Sequence, residues 1–167
     1  LTNWCAFTSS LLGPARGVSI DEPWRTDIVE LASVRVGVAS LCTAWLSGAG
    51  DREGALVLGE RQLRTLVREL HEGGAQLRVA LMHHPPSWLR EAEAETIHAI
   101  LRAEFDVVLH GHQHRAKGGS FVQGGRDTVE IGAGATYAGL GQDRFHGIGV
   151  ACLDVAANAL ILDQFTW

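Results

Sequence analysis

The sequence predicts an α/β fold built from two packed sheets, and three observations carry that prediction. From 33 to 118, short β-branched or aliphatic runs alternate with stretches of helical periodicity, the pattern of strand-helix units on a largely parallel sheet. Near Ser120 the pattern changes to paired short strands, which read as antiparallel hairpins lying mostly in a second sheet. Between these regions two histidine clusters each end an apolar run. Two neighbouring parallel strands would carry both clusters to the carboxyl edge of one sheet, where open α/β sheets bind ligands.

Taken in order, residues 1–32 are the least regular, punctuated by Ser9-Ser10, Gly13-Pro14, Gly17 and Glu22-Pro23, and read as loops around short elements. Trp4, Phe7 and Trp24 need a surface there: either they cross the mouth of a site or they are core anchors. Val34 to Leu41 has the β-branched content of a strand, and Ser47 to Asp51 ends it in a loop. Leu63, Leu66, Val67 and Leu70 then form a helical stripe, supported by Glu60 four residues before Arg64 and stopped by Gly73-Gly74. Leu77, Val79 and Leu81 alternate as a strand leading into His83. Glu91 to Ala103 reads as a second helix, with Ala94, Ile97, Ile100 and Leu101 inward and an acidic first turn that suits the helix dipole. Val107 to Leu109 is the next strand. The hairpins pair Ser120–Gln123 with Thr128–Ile131 and Gly147–Val155 with Ala159–Phe165.

A chain of 167 residues with 46% apolar content is one domain with ample core. The segments 1–32, 33–118 and 119–167 are parts of that single unit. A net charge of -5 and the lack of a basic run argue against a nucleic-acid surface. No signal peptide or membrane span is visible, because Arg35, Ser40 and Thr43 interrupt the longest apolar region. Cys5, Cys42 and Cys152 are odd in number and widely spaced, which suits reduced thiols in the cytoplasm. Oligomeric state is unconstrained.

Five of the eight histidines fall in Met82-His83-His84-Pro85-Pro86 and Leu109-His110-Gly111-His112-Gln113-His114. Neutral imidazole is the commonest ligand for divalent transition metals, and three ligands from two strand ends begin a zinc, manganese or iron site. Gly111 is expected to let the backbone turn, so that His112 and His114 either share a face or diverge toward two ions. Pro85-Pro86 stops the first strand and fixes the rings before it. His71, His98 and His146 read as surface, packing or capping residues.

These two stretches resemble the fourth and fifth motifs of the calcineurin-like metallophosphoesterases, a histidine after a strand followed by prolines and then Gly-His-x-His. The likeness extends more weakly from Ser33 to the carboxyl terminus, through Leu41-Cys42-Thr43-Ala44-Trp45 and Gly59-Glu60-Arg61-Gln62-Leu63. It implies an α/β/β/α sandwich, incomplete at the amino terminus, that hydrolyses phosphate mono- or diesters with two divalent ions, manganese, iron or zinc. His83 and His112 would bind one ion and His114 the other. His84 and His110 would lie beside the site, His84 without binding metal, supporting ligands or facing substrate. The family's Asp-x-His, Gly-Asp-x-x-Asp and Gly-Asn-His-Asp/Glu motifs are absent, since Gly50-Asp51-Arg52-Glu53-Gly54 has glycine where the second aspartate is required. The chain is therefore expected to be the carboxyl-terminal half of such a domain and inactive by itself, with no catalytic residue assignable within it.

Three other readings compete with this one. A mononuclear hydrolase using His110, His112 and His114 on one strand face is disfavoured by Gly111, and His-x-His-x-Asp-His fails at His114 and Arg115. Gly132 to Tyr137 follows a strand but lacks the sixth glycine and the helix of a dinucleotide loop. A non-catalytic metal- or protein-binding module built on the same fold is the alternative to the enzyme.

Overall fold

The computed structural model describes residues 2–13, 17–48, 52–113, 117–123, 126–134, 147–154, 157 and 159–166. Its main sheet has six strands in the order β1-β2-β3-β4-β6-β5, and β7 and β8 form a second sheet of two. The central strands β2 (Val34–Ser40), β3 (Leu77–Leu81), β4 (Val107–His110) and β6 (Arg126–Gly132) run parallel, which brings their carboxyl ends to one edge.

Two elements lie where loops were expected. Helix α1 (Thr2–Leu12) buries only Thr8 and leaves Trp4, Phe7, Leu11 and Leu12 exposed; Trp4, Phe7 and Leu11 have helical spacing, but no charged face opposes them to mark the helix. Strand β1 (Arg25–Leu31) pairs antiparallel with β2 through a two-residue turn in which Ala32 and Ser33 take φ of 47° and 71°. That turn ordinarily selects Asn-Gly, and without those residues the hairpin carried no turn signature.

Helices α2 (Glu60–Glu72) and α3 (Glu91–Glu104) cross over between β2, β3 and β4 and pack together. Leu63, Leu66 and Leu70 of α2 and Ile97 of α3 are fully buried against Ala39, Ala80 and Val108 of the sheet. Each such side chain contributes about 1.5–3 kcal/mol by leaving water. The α2 stop is a Schellman turn: Ala75 N–H reaches Leu70 O at 3.0 Å, Gly74 N–H reaches His71 O at 3.0 Å, and Gly74 has φ 67°. Gly37 lets α2 approach, because a Cβ there would lie 2.6 Å from Ala75 Cβ and 2.7 Å from Leu70 Cδ2.

The acidic first turn of α3 does more than face a dipole. Glu93 accepts hydrogen bonds from Leu58 N–H at 2.7 Å and Gly59 N–H at 3.3 Å, tying the start of α3 to the start of α2.

The first carboxyl-terminal hairpin corrects the expected division between sheets. β5 (Lys117–Gln123) and β6 join the main sheet, with β6 parallel to β4 in the register Val107↔Val129 to His110↔Gly132. Buried Thr128 fixes that placement, its Oγ1 lying 3.0 Å from Arg102 O and 2.9 Å from Phe105 O. Alternation alone does not distinguish a hairpin strand from one that also pairs in parallel on its other edge. Only β7 (Gly147–Asp154) and β8 (Ala159–Thr166) form the separate antiparallel sheet.

Candidate metal centre

The backbone ladder continues past the strand ends and fixes three loops side by side. Leu41 N–H bonds Leu81 O at 2.7 Å, Met82 N–H bonds Leu109 O at 3.0 Å, and Gly111 N–H bonds His83 O at 3.0 Å. This last bond holds Gly111 in the ladder. The turn therefore falls on His112, whose φ is 66°, rather than on the glycine expected to take it. Histidine is among the side chains that tolerate this left-handed conformation best.

After His84, Pro85 and Pro86 are buried, and Pro86–Trp88 forms a short 3-10 turn. Leu56 clamps that turn, its N–H bonding Trp88 O at 3.0 Å and its carbonyl accepting from Arg90 N–H at 2.9 Å. Trp88 is thereby stacked on His84, with centroids 5.8 Å apart and planes at 22°, and set edge-on to His112 at 4.4 Å.

His112 Nδ1 lies 3.2 Å from His83 Nε2. His83, His84 and His112 each offer a nitrogen within 4.8 Å of the others. His83 is exposed, His112 half-buried and His84 buried. Thr43 orients His84 twice: its Oγ1 lies 2.9 Å from the ring Nδ1 and accepts from the His84 backbone N–H at 3.2 Å. Thr43 is itself held through its neighbour, because Gln62 of α2 accepts from Cys42 N–H at 2.6 Å and donates to Leu58 O at 2.8 Å. Burial pushes the Cys42 thiol above its ordinary range, against smaller opposing hydrogen bonds from Ala44 and Trp45.

This donor set fits one divalent transition ion. Zinc–nitrogen bonds of about 2.0–2.1 Å at a tetrahedral angle put ligand nitrogens about 3.3 Å apart, close to the His83–His112 spacing. Three imidazoles suit zinc, iron or copper better than magnesium or calcium, which take oxygen ligands. Among the described residues no carboxylate joins the cluster.

The structure thus brings His83 and His112 together and puts His84 in the same group. His114 and His146 lie outside the described residues. His110, buried at the end of β4, bonds Glu130 of β6 through Nε2 at 3.1 Å, has no partner for its Nδ1 among the described residues, and lines one cavity together with His83. His71 sits at the surface with Glu104, and His98 is half-buried on α3. Thr43, Gln62 and Trp88 were not singled out as site residues. Thr43 follows the end of the adjacent parallel strand, and Trp88 follows the Pro-Pro stop, so position relative to strand ends was the available signal.

Two cavities open at His83, one of about 400 Å³ between the main sheet and β7–β8, the other of about 380 Å³ beneath α1.

No sequence family and no curated protein matches this chain. Among solved structures, the sulfate thiohydrolase SoxB of Thermus thermophilus, determined with glycerol, matches over 95% of this chain and 30% of its own, with TM-score 0.58 and 18% identity. SoxB has a metallophosphoesterase-type fold. GAP50, the anchor in the inner membrane complex of Plasmodium, matches over 87% of this chain and 50% of its own, with TM-score 0.55 and 13% identity. The chain therefore spans half or less of these neighbours, and at such identities the likeness speaks to the metallophosphoesterase-type fold alone. No helix among the described residues is long and apolar enough to cross a membrane.

Proposed function

We propose that this chain is the histidine-bearing part of a metal-dependent hydrolase of phosphate mono- or diesters, with His83 and His112 as ligands to one divalent ion and His84 as a third donor. The observation that best supports this reading is the 3.2 Å approach of two imidazole nitrogens at the carboxyl edge of adjacent parallel strands. On the resemblance to the two-metal phosphoesterases, the fold would be an α/β/β/α sandwich and His114 would be a ligand to a second ion. Bound ions supply Lewis-acid polarisation of the phosphoryl group and a more acidic water. The chain's own residues prepare for this: Thr43 sets the His84 ring, Trp88 covers one side of His84 and His112, and exposed His83 faces arriving substrate. Three free thiols suit a cytoplasmic setting.

A second reading is a non-catalytic metal- or protein-binding module, favoured by the match to GAP50, a protein described as an anchor. Fusing the chain to an amino-terminal phosphoesterase half that carries the three absent motifs separates the two. Metal-dependent turnover of a generic phosphomonoester or diester by the fusion, lost with His112→Ala, supports the hydrolase. Metal binding without turnover in a folded fusion supports the module.

A further inference from the structure

We propose that the cavity beneath α1 seats an aromatic group of the substrate, so that the preferred ligand is a phosphate ester of a planar aromatic alcohol. This rests on the phosphoesterase reading and specifies its substrate class. The cavity is about 380 Å³, at the small end of the range for small-molecule sites, about 300–1,000 Å³. It has room for one ring system with its substituents.

Its walls decide the chemistry. Trp4 and Leu12 of α1 line it while remaining 56% and 46% exposed, leaving apolar surface at the rim of a concave site. The Trp4 indole lies against Phe7, with centroids 5.8 Å apart. Trp24 forms another wall and packs on the core, so its indole is backed by buried side chains. Arg25, which also lines the cavity, is ion-paired with Asp27. Indole rings and a guanidinium favour a flat π-system through offset or edge-to-face contact and cation–π contact, whereas an alkyl chain gains only from burial.

Two residues join the cavity to the histidine cluster. His83 belongs to both, and Thr43, which lines the cavity, holds the His84 ring. A ligand with its aromatic body against Trp4 and Trp24 therefore presents its phosphoryl end at His83. The other cavity at His83 has mainly aliphatic walls, Leu81, Leu109, Ile131 and Leu162, and among the described residues no tryptophan, tyrosine or phenylalanine lines it.

The test uses the zinc-loaded 167-residue chain with the non-hydrolysable probes 1-naphthylphosphonate and butylphosphonate, and with inorganic phosphate, followed by tryptophan fluorescence and calorimetry. The naphthyl probe is expected to bind at least about tenfold more tightly than the butyl probe. Trp4→Ala, at an exposed position, and Trp24→Leu, which keeps an apolar side chain, are each expected to erase that preference without changing affinity for inorganic phosphate. Leu162→Trp, which fills the other cavity, is expected to leave it intact. Equal binding of the two probes, or a preference that survives both tryptophan substitutions, overturns the proposal, as does a preference lost on Leu162→Trp alone. Inorganic phosphate reports separately on the underlying reading. If it binds without any aromatic preference, this proposal fails and the phosphoesterase reading stands; if neither it nor either phosphonate binds, this proposal fails, and the phosphoesterase reading is decided by the fusion experiment.

Discussion

His112 Nδ1 and His83 Nε2 lie 3.2 Å apart although 29 residues separate them in the chain. At that distance the two nitrogens share either a proton or a cation. The backbone bonds that join the ends of β3 and β4 hold the two histidine-bearing loops side by side, so the proposed ion would meet rings already close together.

Removing either ring removes a ligand. His83→Ala and His112→Ala are each expected to weaken zinc binding by more than about 100-fold, beyond the 10–100-fold typical of losing a residue that only supports a ligand. Competition with a chromophoric chelator measures this, and unchanged affinity in either variant removes the basis of the proposed centre.

Thr43→Val keeps the volume of the side chain and deletes its hydroxyl. Zinc affinity is expected to fall about 10–100-fold with the circular dichroism spectrum retained, and Thr43→Ser should restore most of it. Equal affinity in all three proteins would mean that His84 orientation does not matter to the ion.

Leu66 is fully buried beneath α2, and Leu66→Ala should cost about 2–5 kcal/mol in urea unfolding through lost transfer energy and the cavity left behind. Gly37→Ala acts in the opposite sense, by crowding. The added methyl meets Ala75 and Leu70, and a loss of about 1–3 kcal/mol is expected, read as a lower unfolding midpoint.

Because burial raises the Cys42 thiol, the folded state favours its protonated form. The sign follows: this contribution to stability is full below the ordinary pKa of the unfolded thiol, about 8.5, and is lost as pH rises from there through the higher folded value. Iodoacetamide should label exposed Cys152 first at neutral pH, with Cys42 reacting appreciably only in the alkaline range. Peptide mapping of the alkylated cysteines checks the order. Rapid neutral labelling of Cys42 would contradict the inferred environment.

The sequence by itself determined the parts of the molecule that local pattern encodes. The leucine stripe of α2, its Gly73-Gly74 stop, the inward face of α3 and the strands leading into His83 and His110 are all periodic or punctuated, and the periods of 3.6 and 2 follow from backbone geometry. The positions of His83 and His112 were legible for the same reason, since each lies just past an apolar run with the pattern of a strand. Tertiary structure decided what depends on pairing between distant segments. The β1–β2 hairpin turns on Ala32 and Ser33, which carry no turn signature, and the placement of β6 beside β4 rests on Thr128 reaching carbonyls more than 20 residues away. The supports of His84 came from the same source: Thr43 and Gln62 lie 41 and 22 residues from it in the sequence, and only the parallel alignment of β2 and β3 with α2 packed over them brings the three together.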